Sequence, residues 1–262
     1  MSRPLPRFRG YAFDLDGTLY LGEHLIPGAD EVVRSLRENG SRVVFVTNKP
    51  LETTTSYAAK LTKLGIPATP HDVISANDAL VLYLKRHHAG AALLPVAEQV
   101  VIDELLQAGF TVTRDPEAAD VVVVSFDRTF DYDKLTRAYH AVKRGAVIVA
   151  TNPDPYCPTP DGGLPDCAAM LAAIEACTGA KAEAIVGKPS VHMAEAFLDR
   201  LQVPAADAAM VGDRVLTDVA MGLAAGMAGV LVLSGATTPS EAAAADITPT
   251  FVIDDVRGLL VA

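Results

Sequence analysis

The sequence predicts an α/β protein with parallel strand pairing and an insertion of the same class in its middle. Short apolar runs rich in Val, Ile and Phe recur between segments of helical periodicity, and strands joined through helices pair in parallel. Gly and Pro punctuate those segments at their ends. With 262 residues the chain has room for one large domain or two smaller ones, without disulfide staples.

In order, residues 11–15 read as the first strand and residues 29–39 as a helix stopped by Gly40. Residues 42–46 follow as a strand. Residues 51–64 read as a helix closed by Gly65-Ile66-Pro67, and residues 75–88 as another. A second strand and helix series starts at residues 91–94 and includes strands at 121–126 and 146–150. Residues 152–165, dense in Pro and Gly, form a loop before the helical residues 167–177. Residues 184–186, 191–201, 208–211, 215–225 and 229–233 alternate strand and helix to the end, and the Ala-rich residues 241–246 form a surface helix or loop. The expected boundaries are a first core segment 1–75, an insertion 76–181 and a second core segment 182–262.

Charge narrows the function classes. Twenty-two Lys and Arg against 32 Asp and Glu give a net charge of −10, so no global positive field attracts a nucleic-acid backbone. A small anionic substrate stays open, because local donors and a metal override net charge at one site. Cys157, Cys167 and Cys177 form no C-x-x-C pair or Cys/His cluster and read as thiols. No window approaches ~18 uninterrupted apolar residues and residues 1–10 hold no apolar leader core, so the expected partners include no membrane and the expected location is the cytoplasm. The six His residues show no metal or nucleophile–base spacing.

The chemistry gathers at strand ends. Asp14 and Asp16 flank Leu15 as the first strand opens into Gly17-Thr18, and alternation along a strand points both carboxylates to one face. Ligand sites of open α/β sheets lie beyond the carboxyl ends of strands. The competing reading is a plain Asp-Gly turn.

Phe13-Asp14-Leu15-Asp16-Gly17-Thr18-Leu19 resembles the first motif of haloacid-dehalogenase-superfamily phosphatases, and three later segments match the remaining motifs in order. These are Thr47-Asn48 after residues 43–46, Lys188 in Val186-Gly187-Lys188-Pro189, and Gly212-Asp213-Arg214-Val215-Leu216-Thr217-Asp218 after residues 208–211. The resemblance spans nearly the whole chain and implies a doubly wound parallel-sheet Rossmann-like core with an inserted large α/β (class II) cap domain. It is most similar to the nitrophenyl-phosphatase-like and sugar-phosphatase branch. Ala150-Thr151-Asn152-Pro153-Asp154, Asp161-Gly162 and Val186-Gly187-Lys188-Pro189-Ser190 resemble arabinose-operon sugar phosphatases in particular.

By that resemblance Asp14 is the nucleophile that takes the phosphoryl group, and Asp16 protonates the leaving oxygen and later deprotonates water. Thr47, Asn48 and Lys188 hold phosphoryl oxygens. Asp14, the main-chain carbonyl of Asp16, and Asp213 are implied ligands of Mg²⁺, a hard ion that favours oxygen donors. Asp218 either ligates through water or orients Lys188 and the metal shell. Asn152 and Asp154 either hydrogen-bond substrate hydroxyls or build a turn between Pro153 and Pro155.

The expected activity is hydrolysis of a small phosphorylated metabolite, with sugar phosphates favoured by the resemblance. Pyridoxal phosphate, a nucleotide monophosphate, phosphotransfer to another metabolite and noncatalytic phosphate sensing are the alternatives. Homodimerisation through a cap remains open, since no apolar stripe fixes stoichiometry.

Overall fold

A computed structural model describes residues 5–159 and 162–260. The chain divides into two compact units. One takes in the chain up to Thr47, Thr54–Ile74 and the chain from Lys188 on; the other is Asn48–Thr53 with Ser75–Gly187.

The first unit is built on a six-stranded sheet in the order Phe251–Ile253, Ala228–Val232, Ala208–Gly212, Gly10–Asp14, Arg42–Thr47 and Val73–Ser75. Gly10–Asp14 pairs in parallel with both of its neighbours, and all five of its residues are buried, as expected of a strand covered on two faces. Helix Ala29–Glu38 lays Val32, Val33 and Leu36 on the core, with Asp30 and Glu31 in its first turn and Arg37 in its last, matching the helix dipole. Helix Val191–Leu201 starts where the Ser190 hydroxyl accepts the His192 N–H. Tyr11, Phe13, Phe45, Val211 and Val230 join one apolar cluster. Each fully buried aromatic there contributes roughly 2–3 kcal/mol of transfer free energy.

Chain order and spatial order diverge in a way that matters. Gly10–Asp14 comes first in sequence yet sits in the middle, with Arg42–Thr47 on one side and Ala208–Gly212 on the other. Crossovers therefore leave it in both directions, opening a crevice at the carboxyl ends of these strands.

The second unit has its own five-stranded parallel sheet, in the order Ala184–Ile185, Val147–Ala150, Val121–Val124, Ala92–Val96 and Thr111–Val112. Helices Ala76–His87, Gln99–Gln107, Tyr132–Lys143 and Cys167–Thr178 belong to this unit. Its apolar cluster unites Val122, Val124, Ala138, Ala141, Ile148, Leu171 and Ile174.

Three expectations change. Ala184–Ile185 pairs with Val149 and Ala150, so the second core segment starts at Lys188 rather than at residue 182. The expected loop 152–165 contains an antiparallel hairpin, Tyr156–Thr159 with Gly162–Pro165; Asp161 lies outside the described residues. Residue 75 caps a helix instead of opening one: the Ser75 hydroxyl accepts the Asp78 N–H, the Asp78 carboxylate accepts the Ser75 N–H, and Val73–Ser75 closes the edge of the core sheet. The Ala-rich stretch is a helix, Pro239–Ala244, begun by the same reciprocal device between Thr238 and Glu241.

Cys157, Cys167 and Cys177 are free thiols. Among the described residues no helix is long and apolar enough to cross a membrane.

Candidate active site

Asp14 ends the central strand of the core sheet, opposite Val46 of the neighbouring strand, so Thr47 lies one residue further along. Thr47 is buried. Asp213 directly follows Ala208–Gly212 on the other side. Three adjacent strand ends thus deliver an acid, a hydroxyl and a second acid to the switch-point crevice.

The turn after Asp14 is tight for a reason visible at Gly17. Its φ is +92°, and a Cβ there would lie 2.3 Å from Asp213 Oδ2, so only glycine admits both the backbone and the carboxylate beside it. Asp16, in the same turn, is exposed, and the Gly17 N–H donates to the Tyr20 carbonyl at 2.8 Å. Thr18 is buried and its hydroxyl donates to Asp14 Oδ2 at 3.3 Å.

Beyond Asp213 the chain makes a wide helical turn, Val215–Val219, in which the Val219 N–H reaches the Arg214 carbonyl five residues back. That turn carries Asp218 into the interior. Asp218 Oδ2 accepts the Arg214 N–H at 3.1 Å, and Oδ1 accepts from Lys188 Nζ at 2.8 Å. Lys188 Nζ also donates to Asp14 Oδ1. One oxygen each of Asp14, Asp213 and Asp218 lies within 4.8 Å of the others, and all three residues are buried.

The electrostatics follow from that crowding. Burial pushes Asp14 up to about 6, with the Asp218 charge adding to the rise and the Lys188 ammonium opposing it. Burial likewise raises Asp213, assisted by Asp14, and raises Asp218 despite the contact with Lys188. For Lys188 burial works toward losing the proton, yet Asp14 and Asp218 outweigh it and its pKa rises. Three buried carboxylates around one ammonium leave negative charge in excess. An all-oxygen donor set with that excess fits a hard divalent cation.

One segment of the site escaped the sequence reading. The loop after Ala228–Val232 clasps the Asp213 turn: the Ala236 N–H donates to Asp213 Oδ2 at 2.6 Å, the Thr237 N–H to the Asp213 carbonyl at 3.2 Å, and the Ser234 hydroxyl to the Gly17 carbonyl at 2.8 Å. The available signal was position, since this loop leaves the strand beside Ala208–Gly212 at the same edge of the sheet.

Asn48, Asn152 and Asp154 gather separately, within the second unit. Asn48 Nδ2 donates to Asp154 Oδ2 at 3.0 Å, Asn152 Nδ2 to the Asn48 carbonyl at 3.4 Å, and the Asp154 N–H to Asn152 Oδ1 at 2.9 Å. Asn152 is fully buried. The predicted site residues thus fall into a charged group of Asp14, Lys188, Asp213 and Asp218, with Asp16 and Thr47 on the same strand ends, and an amide-rich group of Asn48, Asn152 and Asp154.

This geometry has relatives. Residues 11–111 match a haloacid dehalogenase-like hydrolase family, and residues 185–259 a HAD-hydrolase-like family. The chain is 36% identical over 248 residues to the sugar-phosphatase AraL of Bacillus subtilis, covering 95% of this chain and 90% of that protein. It is 32% identical to an acid sugar phosphatase of Staphylococcus haemolyticus, over 97% of this chain and 95% of that one. The crystal structure of a 4-nitrophenylphosphatase from Thermotoga maritima superposes with a TM-score of 0.91 at 32% identity, covering 98% of this chain and 97% of that one. The chain belongs to the haloacid dehalogenase-like hydrolases. Within them it is a phosphatase of the branch that holds the sugar phosphatases and nitrophenylphosphatases, with the Rossmann-like core of that family.

Proposed function

We propose that the protein is a Mg²⁺-dependent phosphomonoesterase that hydrolyses small sugar phosphates through an aspartyl-phosphate on Asp14. The observation that carries this reading is the buried set of Asp14, Asp213 and Asp218 around Lys188 at the switch point of a parallel sheet. Sugar phosphates are favoured because two of the relatives are named sugar phosphatases.

In the first step an Asp14 carboxylate oxygen attacks phosphorus, the bond from phosphorus to the alcohol oxygen breaks, and Asp16 gives that oxygen its proton. In the second step water attacks the same phosphorus, Asp16 accepts the water proton, and the bond to Asp14 breaks to release inorganic phosphate. Lys188 and Thr47 hold the phosphoryl oxygens by charge and hydroxyl, and the donors are fixed before charge develops. Asp14, Asp213 and the main-chain carbonyl of Asp16 would hold Mg²⁺, with Asp218 orienting Lys188. When bound, the cation supplies positive charge to the phosphoryl oxygens and to the crowded carboxylates. The Asp218 contact to Lys188 supports the orienting role over ligation through water.

Phosphate release from a panel of sugar phosphates, pyridoxal phosphate, nucleotide monophosphates and nitrophenyl phosphate tests the reading. Wild type turns over at least one sugar phosphate, and Asp14→Asn loses ~10⁴-fold or more while keeping its circular dichroism spectrum. Near-native turnover by Asp14→Asn, with mass spectrometry excluding deamidation, contradicts the mechanism. Preference for pyridoxal phosphate or a nucleotide moves the substrate class, and transfer to an added sugar in place of release moves the reaction to phosphotransfer.

A further inference from the structure

The chain passes between the two units at four places, and two of them adjoin residues of the active site: Thr47 is followed by Asn48, and Gly187 precedes Lys188. Both of these passages are held by one short segment, residues 151–154. On the first, Asp154 Oδ2 takes the Asn48 side-chain N–H at 3.0 Å and Asn152 Nδ2 reaches the Asn48 carbonyl at 3.4 Å. On the second, the Gly187 N–H donates to the Thr151 carbonyl at 2.7 Å, one residue beyond the sheet bond from Val186 N–H to the Ala150 carbonyl at 2.9 Å. The two passages also touch each other. A Cβ on Gly187 would lie 2.7 Å from Asn48 Oδ1 and 2.4 Å from the Thr151 carbonyl oxygen.

The segment is itself anchored. The Asp154 carbonyl accepts the Ala168 N–H at 3.1 Å in the first turn of helix Cys167–Thr178, and Asp166, whose side chain caps that helix, donates its own N–H to the Pro155 carbonyl at 3.1 Å. Asn152 is fully buried, with Oδ1 engaged by the Asp154 N–H. A side chain whose amide is spent on the chain in this way suits holding a backbone better than reading a substrate.

We propose that Asn152 and Asp154 are positioning residues of the phosphatase reaction. By clasping Asn48 and the backbone at Gly187, they set where the adjoining Thr47 and Lys188 present their hydroxyl and ammonium to the phosphoryl group. The inference rests on the roles given to Thr47 and Lys188 above, and it replaces the expectation that Asn152 and Asp154 bind substrate hydroxyls.

The test is steady-state kinetics with nitrophenyl phosphate and a hexose phosphate, for wild type, Asp154→Ala, Asp154→Asn, Asn48→Ala and the Asn48→Ala/Asp154→Ala double variant. Misplacing catalytic groups by about an ångström costs on the order of a hundredfold, so Asp154→Ala lowers kcat by about ten- to a hundredfold, by the same factor for both substrates, with KM within about twofold. Asp154→Asn keeps an acceptor oxygen for the Asn48 amide and recovers most of that loss. The double variant is no worse than the poorer single variant, because both remove one interaction. Gly187→Ala, which crowds the same junction without removing a hydrogen-bonding group, gives the same kcat signature and covers the case in which Asp154→Ala fails to fold. A rise in KM confined to the hexose phosphate overturns the proposal, as do additive losses in the double variant or wild-type kcat in Gly187→Ala. Full turnover by Lys188→Met would instead overturn the role assigned to Lys188, which separates the two failures.

Discussion

The molecule holds two parallel sheets, each with charged groups at a switch point, and they use charge in opposite ways. In the cap unit the first strand, Ala92–Val96, sits between Thr111–Val112 and Val121–Val124, so crossovers diverge there as they do around Gly10–Asp14. The charged residues that follow Ala92–Val96 and Val121–Val124 are matched pair by pair. Arg128 grips Glu98 with Nε and Nη2 at 2.5 and 2.7 Å, and Lys134 Nζ bridges the buried Asp127 at 2.5 Å and the Ala97 carbonyl at 3.2 Å. The Arg128 contact holds Glu98 below its ordinary pKa against a burial effect of the opposite sign. At the core switch point one lysine faces three buried carboxylates, and each of those carboxylates is pushed upward. The same topology provides a crevice in both units. Balanced charge makes one a set of structural ion pairs, and unbalanced charge leaves the other with an all-oxygen donor set that fits a hard cation.

The largest effect expected to break this comparison comes from removing Lys188, the ammonium that contacts Asp14 and Asp218. Lys188→Met removes the charged donor proposed for the phosphoryl oxygens and leaves the carboxylates facing one another, so turnover is expected to fall by about 10²–10³-fold. Stability in EDTA drops by about 3–5 kcal/mol, the cost of stranding buried charge. Urea unfolding with and without Mg²⁺ checks the second part, and a smaller loss with Mg²⁺ is expected.

Lys134→Met is the matching experiment in the cap unit. It strands the fully buried Asp127 carboxylate, so about 3 kcal/mol of stability is lost while kcat of the folded fraction is unchanged. A selective loss of kcat would break the contrast between the two sheets.

The smallest effect is a pH slope. Asp166 is buried beside Asp154, and burial followed by that neighbouring charge outweighs its bonds to Cys167 and Asn152, pushing it up to about 6. An unfolded Asp titrates near 3.9, so between about pH 4 and 6 the folded state binds more protons and stability falls as pH rises through that window. Asp166→Asn keeps the helix cap and removes the slope. Relative to wild type it gains on the order of 2 kcal/mol between pH 4 and pH 7, read from urea midpoints, and a constant difference across that range would contradict the assignment.

The place of the strand-end group was legible in the sequence because Asp14 and Thr47 end apolar strands and Asp16 and Asp213 follow such strands within two residues. Direction was not, since the strand stops at Asp14 and alternation does not extend to the exposed Asp16 in the turn. Asp218 was legible as a residue but not as a role, since a five-residue spacing becomes an inward carboxylate only through the wide turn at Val215–Val219. The Ser234 to Thr237 loop acts through the Ala236 and Thr237 backbone N–H groups and one serine hydroxyl, which form no motif that a sequence pattern announces. Ala184–Ile185 is two residues long, too short for periodicity to say which sheet it joins. The bond between Asn48 and Asp154 spans 106 positions, and no local pattern announces a contact of that length.

The most direct measurement of the central claim is phosphate release from nitrophenyl phosphate by EDTA-treated protein, before and after Mg²⁺ is added back. If the excess charge of Asp14, Asp213 and Asp218 is a working cation site, the treated protein is inactive, Mg²⁺ restores turnover, and Asp213→Asn shifts the restoration to higher Mg²⁺ by about tenfold or more. Turnover that is the same in EDTA as in Mg²⁺ would contradict the account, and would make the carboxylate cluster as structural as the ion pairs of the cap.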